Sequence, residues 1–307
     1  MVIEKVRETP VGVLFGGVEA QRKRRDNAIL IGLPLIGSVC VFPYVLLYGI
    51  TSLQLEIFLF TYVLIGLGVS LGLHRHFSHK SFQAVPAMRW LLGALGSMAF
   101  QGSIKRWVAD HRRHHAHTER SGDAHSPHID PYSNELSGWH GFWHAHVGWM
   151  FDNTATDLSV YGADLDDDLV VKFYERTHWF WVAASLLIPF LVGFVLGDFL
   201  EAVGCVLIGG CLRTTVLHNF VWAVNSFGHT RGAQPFDQDN ESRNNWLLAL
   251  ATFGDGWHNN HHRYPRSAFH GLRSDELDLN GWILIGLERL RLVSNIQRPP
   301  VGHWSTR

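Results

Sequence analysis

Four stretches of this chain carry no charged side chain, and a polypeptide with four of them has few places to put them. Ala28 to Ile50 is 23 residues without a charge, Ile57 to Leu73 is 17 and Trp179 to Gly197 is 19. A helix of roughly 20 such residues crosses a hydrocarbon core of about 30 Å. The fourth stretch, Ala202 to Leu212, is only 11 residues, but beyond Arg213 the chain is again uncharged as far as His229. That pattern predicts one long helix that starts in the membrane and leaves it, with Arg213 near the inner boundary. The stretches form two close pairs, which predicts two transmembrane hairpins.

Charge gives the hairpins a direction. The turns Thr51–Glu56 and Asp198–Glu201 contain no Lys or Arg, whereas Arg22, Lys23, Arg24 and Arg25 precede the first stretch. Arg75, Lys80, Arg106, Arg112 and Arg113 follow the second. The excess of cations marks the cytoplasmic side, so both termini are expected there. Met1–Gln21 has no signal-peptide pattern, and the first span is expected to act as an uncleaved insertion signal. Between the hairpins, Ala84–Phe100 reads equally as an interfacial or a core helix. Asp123–Gly141 is rich in Ser, Pro, Gly and Asp and reads as loop, Asp164–Asp168 as an acidic helix start, and Trp282–Val293 as a helix able to lie on the membrane. A net charge of −1 gives no reason to expect nucleic acid. Cys40, Cys205 and Cys211 lie in apolar runs without a CxxC pattern and read as reduced, packed side chains.

Twenty histidines are more than packing needs, and nine of them fall in four groups beside the apolar runs. His111, His114 and His115 share one helical face by their spacing of three and four, as do His258, His261 and His262. Asn225 and His229 are four apart. His74 and His79 are five apart, roughly 140° out of line on a regular helix, so a distortion is expected between them. Nine imidazoles suit two metal ions with four or five ligands each, leaving positions open for oxygen chemistry rather than a closed structural zinc site. Imidazole alone does not choose among iron, zinc and copper. No HExxH motif argues for a zinc protease, and HxxHH pairs fit bis-histidine haem poorly. A transporter would place such ligands near the midplane of its spans. Here they lie at span ends and in the segments outside the hairpins, which favours an enzyme.

The sequences HRHFSH (His74–His79), DHRRHH (Asp110–His115) and GDGWHNNHH (Gly254–His262) resemble the three histidine boxes of membrane fatty acid desaturases. The likeness is greatest to the stearoyl-CoA desaturase type, the Δ9 acyl desaturases. Gln101 and Trp107 before the second box, HAHVGW at His144–Trp149, and Leu212-Arg213, Asn219, Trp222 and Asn225-Ser226 before His229 extend the resemblance over roughly residues 28 to 272.

The resemblance implies an all-α membrane protein with four transmembrane helices and a cytosolic helical cap. It divides the chain into an N-terminal segment (1–27), hairpin one (28–73), a cap portion with boxes one and two (74–178), hairpin two (179–228) and a cap portion with box three (229–307). It implies two irons held by His74, His79, His111, His114, His115, His229, His258, His261 and His262, with Asn225 reaching one iron through water. The implied reaction is O2-dependent removal of two hydrogens from an acyl chain, giving a cis double bond. An unactivated methylene C–H has no acidic proton, so side-chain acid–base catalysis does not remove it and a cofactor must. A diiron hydroxylase or acetylenase would use the same core. A narrow tunnel is expected to bend at the metals beside Gln101, Trp107, Val221 and Trp222, and Asp110 and Asp255 to orient ligand histidines.

Some positions depart from the family pattern. Val221 replaces a Thr near the bend. Ala109 and Asp152-Asn153 stand where the animal enzymes carry cations that pair with CoA. The carrier is therefore expected to be an acyl carrier protein, a glycerolipid, or CoA held differently. The chain carries no cytochrome b5-type haem motif, flavin or iron–sulfur pattern, so a separate donor such as ferredoxin or a cytochrome b5-like protein is expected. Its size suits a bacterial inner-membrane enzyme. His76 reads as a non-ligand and His140, His144 and His146 as part of a packed helix. His117, His125 and His128 read as surface or hydrogen-bonding groups, His178 as an interfacial anchor, and Asp123 as a turn residue. His218, His270 and His303 carry no signal.

Overall fold

The computed structural model describes residues 9–300, so His303 and both chain ends lie outside the described residues. Helices at Gly17–Tyr48, Ser52–Ser78, His178–Leu196 and Phe199–His229 are each long and apolar enough to cross a membrane. They follow one another through the two expected hairpin turns, which are tighter than expected, and the first helix packs along the fourth. The Thr51 hydroxyl accepts from the Gln54 N–H while the Gln54 side chain accepts from the Thr51 N–H, and this capping box starts the second helix at Ser52. Asp198 caps the fourth helix by accepting from the Glu201 N–H. Glu201 then ties the hairpins together, taking the Thr51 hydroxyl at 2.6 Å and the Gln54 amide at 3.2 Å. The first helix begins at Gly17, so Arg22–Arg25 are helical rather than part of a preceding segment. Nothing between Gly17 and Ala28 breaks a helix, and Glu, Ala, Gln, Arg and Lys favour one.

The fourth span is one continuous helix, as its pattern predicts, with a π-helical stretch at Val206–Leu212. Arg213 follows that stretch and is fully buried. Its guanidinium donates to the Ser185 hydroxyl at 2.8 Å and to the Gly209 carbonyl at 3.3 Å. It therefore pins the fourth span to the third instead of facing a membrane surface.

The ambiguous 84–100 segment is a helix, Pro86–Ser97, that uses both of its readings. Leu92, Gly93, Gly96 and Ser97 are buried against the second span and its surroundings, while Trp90 and Leu91 stay exposed. The approach depends on Gly68, where an added Cβ would lie 2.4 Å from the Leu95 carbonyl carbon and 2.6 Å from the Gly96 nitrogen. Backbone cannot yield as a side-chain tip does. Gly68→Ala is expected to destabilise the protein by about 1–3 kcal/mol, the usual range for overpacking. Thermal unfolding of the detergent-solubilised chain checks this, and an unchanged Tm would refute the close packing.

Two short antiparallel ribbons, Val13–Phe15 with Thr154–Thr156 and Gln83–Ala84 with Val293–Ser294, add to the helices. Each ties residues far apart in sequence across the region holding the histidines. The 123–141 segment is irregular up to the helix at Gly138–His146, and Asp168 caps Leu169–Arg176. The C-terminal helix, Leu279–Arg289, buries Leu284 and exposes Trp282.

Candidate metal centre

The expected distortion between His74 and His79 is a π-helix. Gly68–Ser78 closes the second span with i→i+5 bonding, and the His79 N–H donates to the His74 carbonyl at 3.1 Å. Five residues make one wide turn there, so the two rings stack up the same side with centroids 5.0 Å apart. The other histidines arrive on the helix Ile104–His117, on the last turn of the fourth span, and on the short helix His258–Arg263.

These four sources converge into two adjoining groups. His74, His79, His111, His115 and His261 form one, and His114, His229, His258 and His262 form the other. In the first, Nε2 atoms approach at 2.7 Å (His79 and His111), 2.9 Å (His261 and His115) and 3.1 Å (His74 and His261). In the second, Nε2 of His258 lies 3.0 Å from His229 and 3.1 Å from His262, and His114 lies 3.3 Å from His262.

The opposite ring nitrogens decide what those Nε2 atoms present. His114 Nδ1–H donates to Asp123 at 2.8 Å and His229 Nδ1–H to Glu119 at 2.8 Å, while His74 Nδ1 lies 3.3 Å from Asp255. A neutral imidazole that donates through Nδ1 offers a lone pair at Nε2. Lone pairs directed into a shared group of ring nitrogens suit a cation there. Burial, with the neighbouring rings adding to it, holds His79, His111, His114, His115, His258, His261 and His262 well below the ordinary histidine range, so all are neutral imidazoles at pH 7. The donor set therefore fits two metal ions, of five and four imidazoles.

That neutrality has a pH consequence. An unfolded histidine takes up a proton near pH 6.5, whereas the folded chain resists it. The folded state thus binds fewer protons below that pH, and its stability is retained above about pH 6.5 and lost as pH falls. The Tm of the solubilised protein is expected to drop steadily from pH 7 to pH 5. A flat profile would mean that these rings are not buried as neutral groups.

Two cavities meet at the groups. One is lined by Gln101, Trp107, Val221 and Trp222 together, with Asn27, Ile31, Trp149 and Asn225. The other shares Trp107, His111, Val221 and Asn225 and continues between the second and fourth spans past Val69, Leu217 and Val224 to Phe253.

The remaining sequence candidates separate cleanly. Asp255 faces both His74 and His270 and takes Arg75 at 2.6 Å. Burial would raise its pKa, but Arg75 and His74 outweigh this and hold it well below the carboxylate range. Asp110 instead accepts from Thr156 and makes no hydrogen bond to the histidine groups among the described residues. His76 turns away, toward the Phe82 carbonyl and Arg89. His146 bonds Ser226 and Asn219 in the packed helix expected for it. His218 meets the Ala99 carbonyl.

Four residues near the groups escaped the sequence reading or were misplaced by it. Asp123 is fully buried rather than a mere turn residue, and His125 is buried with its ring stacked 4.2 Å from His114 rather than at the surface. His270 packs 4.5 Å from His261, and Glu119 binds His229. The available signal was a carboxylate a few residues beyond a histidine box, since ligand histidines commonly carry such a partner.

Residues 21–276 match the fatty acid desaturase family. The chain is 36% identical over 269 residues, 87% of its own length and 84% of the relative's, to hex-5-enoyl-[acyl-carrier protein] acetylenase of Moorena producens (strain JHB). It is 33% identical over 293 residues (94% of this chain and 97% of the relative) to sn-2 palmitoyl-lipid 9-desaturase of Nostoc sp. (strain 36). Over 240 residues (76% and 69%) it is 37% identical to sn-1 stearoyl-lipid 9-desaturase of Synechocystis sp. (strain ATCC 27184 / PCC 6803 / Kazusa).

Proposed function

This chain belongs to the fatty acid desaturase family and is a membrane oxidoreductase acting on fatty acyl chains; from that premise we propose that it inserts a cis double bond, near Δ9, using two irons held by the nine clustered histidines. The balance is one saturated acyl chain, O2, two electrons and two protons giving the unsaturated chain and two waters. The observation that carries the reading is the convergence of five and four imidazoles beside two adjoining cavities, one of them walled by apolar side chains. Asn225 lines both cavities and would complete the four-histidine position through water.

Bound iron would supply, with O2 and external electrons, the oxidising power to break unactivated C–H bonds. The chain's own residues do the rest. Trp107 and Val221, common to both cavities, hold the acyl chain where the cavities join. Packed apolar walls at Val69, Leu217 and Val224 exclude water from the far segment. Positioning of this kind is the protein's main contribution to such a reaction.

We assign the acyl carrier to a glycerolipid or an acyl carrier protein. Ala109 and Asp152 offer no cation for CoA phosphates, and Asp152 is engaged with His144 at 3.7 Å. The named relatives act on acyl-lipid or acyl-carrier-protein substrates, which supports this assignment. The electrons would come from a separate ferredoxin or cytochrome b5-like protein. The cations at Arg22–Arg25 support an orientation with the metal centre and both termini in the cytoplasm of a bacterial inner membrane.

The acetylenase relative supports a second reading, in which the same centre acts on an existing double bond. Fatty acid analysis by gas chromatography and mass spectrometry, in cells carrying the chain or an empty vector and supplied with a ferredoxin system, separates the two. A new cis-monounsaturated acid supports desaturation, and an acetylenic acid the second reading. A hydroxy acid, or no product in a donor-supplied lysate, overturns both.

A further inference from the structure

The two metal positions are backed by very different charge. Behind the four-histidine group, Asp123 takes His114 and Glu119 takes His229, each at 2.8 Å. Neither carboxylate has a Lys or Arg within ion-pair distance among the described residues. Arg113 runs nearby but donates to the Gly122 carbonyl and to Thr156. Behind the five-histidine group there is one carboxylate contact, from Asp255 to His74 at 3.3 Å, and Asp255 is shared with His270 and paired with Arg75 at 2.6 Å. Two carboxylates with no Lys or Arg ion-pair partner among the described residues therefore back one position, and one carboxylate already paired with Arg75 backs the other.

Both carboxylates of the first pair come from one turn, His117–Asp123, that follows the second histidine box. Glu119 adopts a left-handed backbone, φ 55°, unusual for a residue with a side chain. Asp123 holds it there, accepting from the Glu119 N–H at 2.7 Å with the oxygen not used on His114. Glu119 in turn accepts from the Glu241 N–H at 2.7 Å, fastening the 233–244 segment over the group. That segment is itself fixed to the third box, because Asn244 accepts from the N–H groups of Asn259 and Asn260.

We propose that this turn makes the metal positions unequal: the four-histidine position holds its ion more tightly, and Glu119 and Asp123 are the positioning residues responsible. A carboxylate behind an imidazole fixes its tautomer and raises its basicity, and one not held in a Lys or Arg ion pair adds attraction for a dication. The fifth imidazole of the other position is neutral and adds a bond without charge. The inference rests on the assignment of both groups as metal sites.

The test uses the solubilised full chain loaded with two 57Fe(II) per molecule, challenged anaerobically with a chelator. Iron content and Mössbauer spectra are followed together, so activity is not the readout. Iron should leave in two phases, with a single quadrupole doublet persisting in the slow one. Glu119→Gln and Asp123→Asn keep the shape and remove the charge, and each should speed the slow phase 10- to 100-fold. Asp255→Asn should alter the fast phase and leave the slow one unchanged. Single-phase loss of both doublets, or a slow phase indifferent to Glu119→Gln and Asp123→Asn, would overturn the proposal. A chain that never takes up two irons would instead sink the metal assignment beneath it.

Discussion

Replacing His261 with alanine is expected to lower acyl-chain turnover by more than about a hundredfold while leaving the protein inserted in the membrane. His261 stands at the centre of the five-histidine group. Its Nε2 lies 3.1 Å from that of His74 and 2.9 Å from that of His115, and its ring packs against His270. Losing an outer partner of a metal ligand already costs roughly 10–100-fold in affinity or activity, and losing the ligand itself costs more. Insertion should survive because His261 sits on the short helix His258–Arg263, outside all four candidate spans. Iron per chain and product yield, measured on membranes with equal amounts of inserted protein, check the result. A His261→Ala protein with two irons and full activity would remove this residue from the centre.

Arg75→Met is expected to cost about 3–5 kcal/mol of stability, the range for breaking a buried ion pair from one side. The guanidinium is fully buried. It donates to Asp255 at 2.6 Å, to the Ser70 hydroxyl at 2.7 Å and to the Ala268 carbonyl at 3.1 Å, and it lies 3.4 Å from Asp278. Methionine fills most of the volume but leaves two carboxylates buried without their cation. Asp255 also faces His74, so the loss reaches the metal centre. Asp278 caps the helix Leu279–Arg289, so it reaches the C-terminal end as well. Arg75→Lys keeps the charge but not the planar fork and should recover only part of the loss. Thermal and denaturant unfolding in detergent measure both variants, and a Met variant as stable as the parent would show the network to be dispensable.

Arg75 illustrates how position in sequence and role in structure diverge. Its place after an apolar run marks the charged flank of the second span. The same side chain then serves inside the protein, because burying three histidine boxes also buries the polar residues between them. Arg113 follows the same course, donating to the Gly122 carbonyl at 2.7 Å beneath the surface. Charged residues next to the histidine boxes are therefore poor guides to exposure.

Much of the fold was legible because apolar length and helical spacing are local properties. The four spans, their pairing, and the shared faces of HxxHH follow from counting along the chain. The hairpin turns were read too wide, since Thr51 and Asp198 look like loop residues until their capping bonds are seen. The first helix was read too short, since a run of cations ends a hydrophobic pattern without ending a helix.

The sequence by itself determined the number of spans and the nine imidazoles, together with the family they signal. Only the tertiary structure decided how those imidazoles divide into five and four, because the division splits the second and third boxes between the groups. It also turned a spacing of five into an aligned pair through the π-helix at Gly68–Ser78, whose wide turn is held by the close packing of Pro86–Ser97 on Gly68. The same holds for the carboxylates behind the rings. Glu119, Asp123 and Asp255 reach His229, His114 and His74 across 110, 9 and 181 positions of chain, and a charge brought to a ring by folding leaves no periodic trace in the sequence.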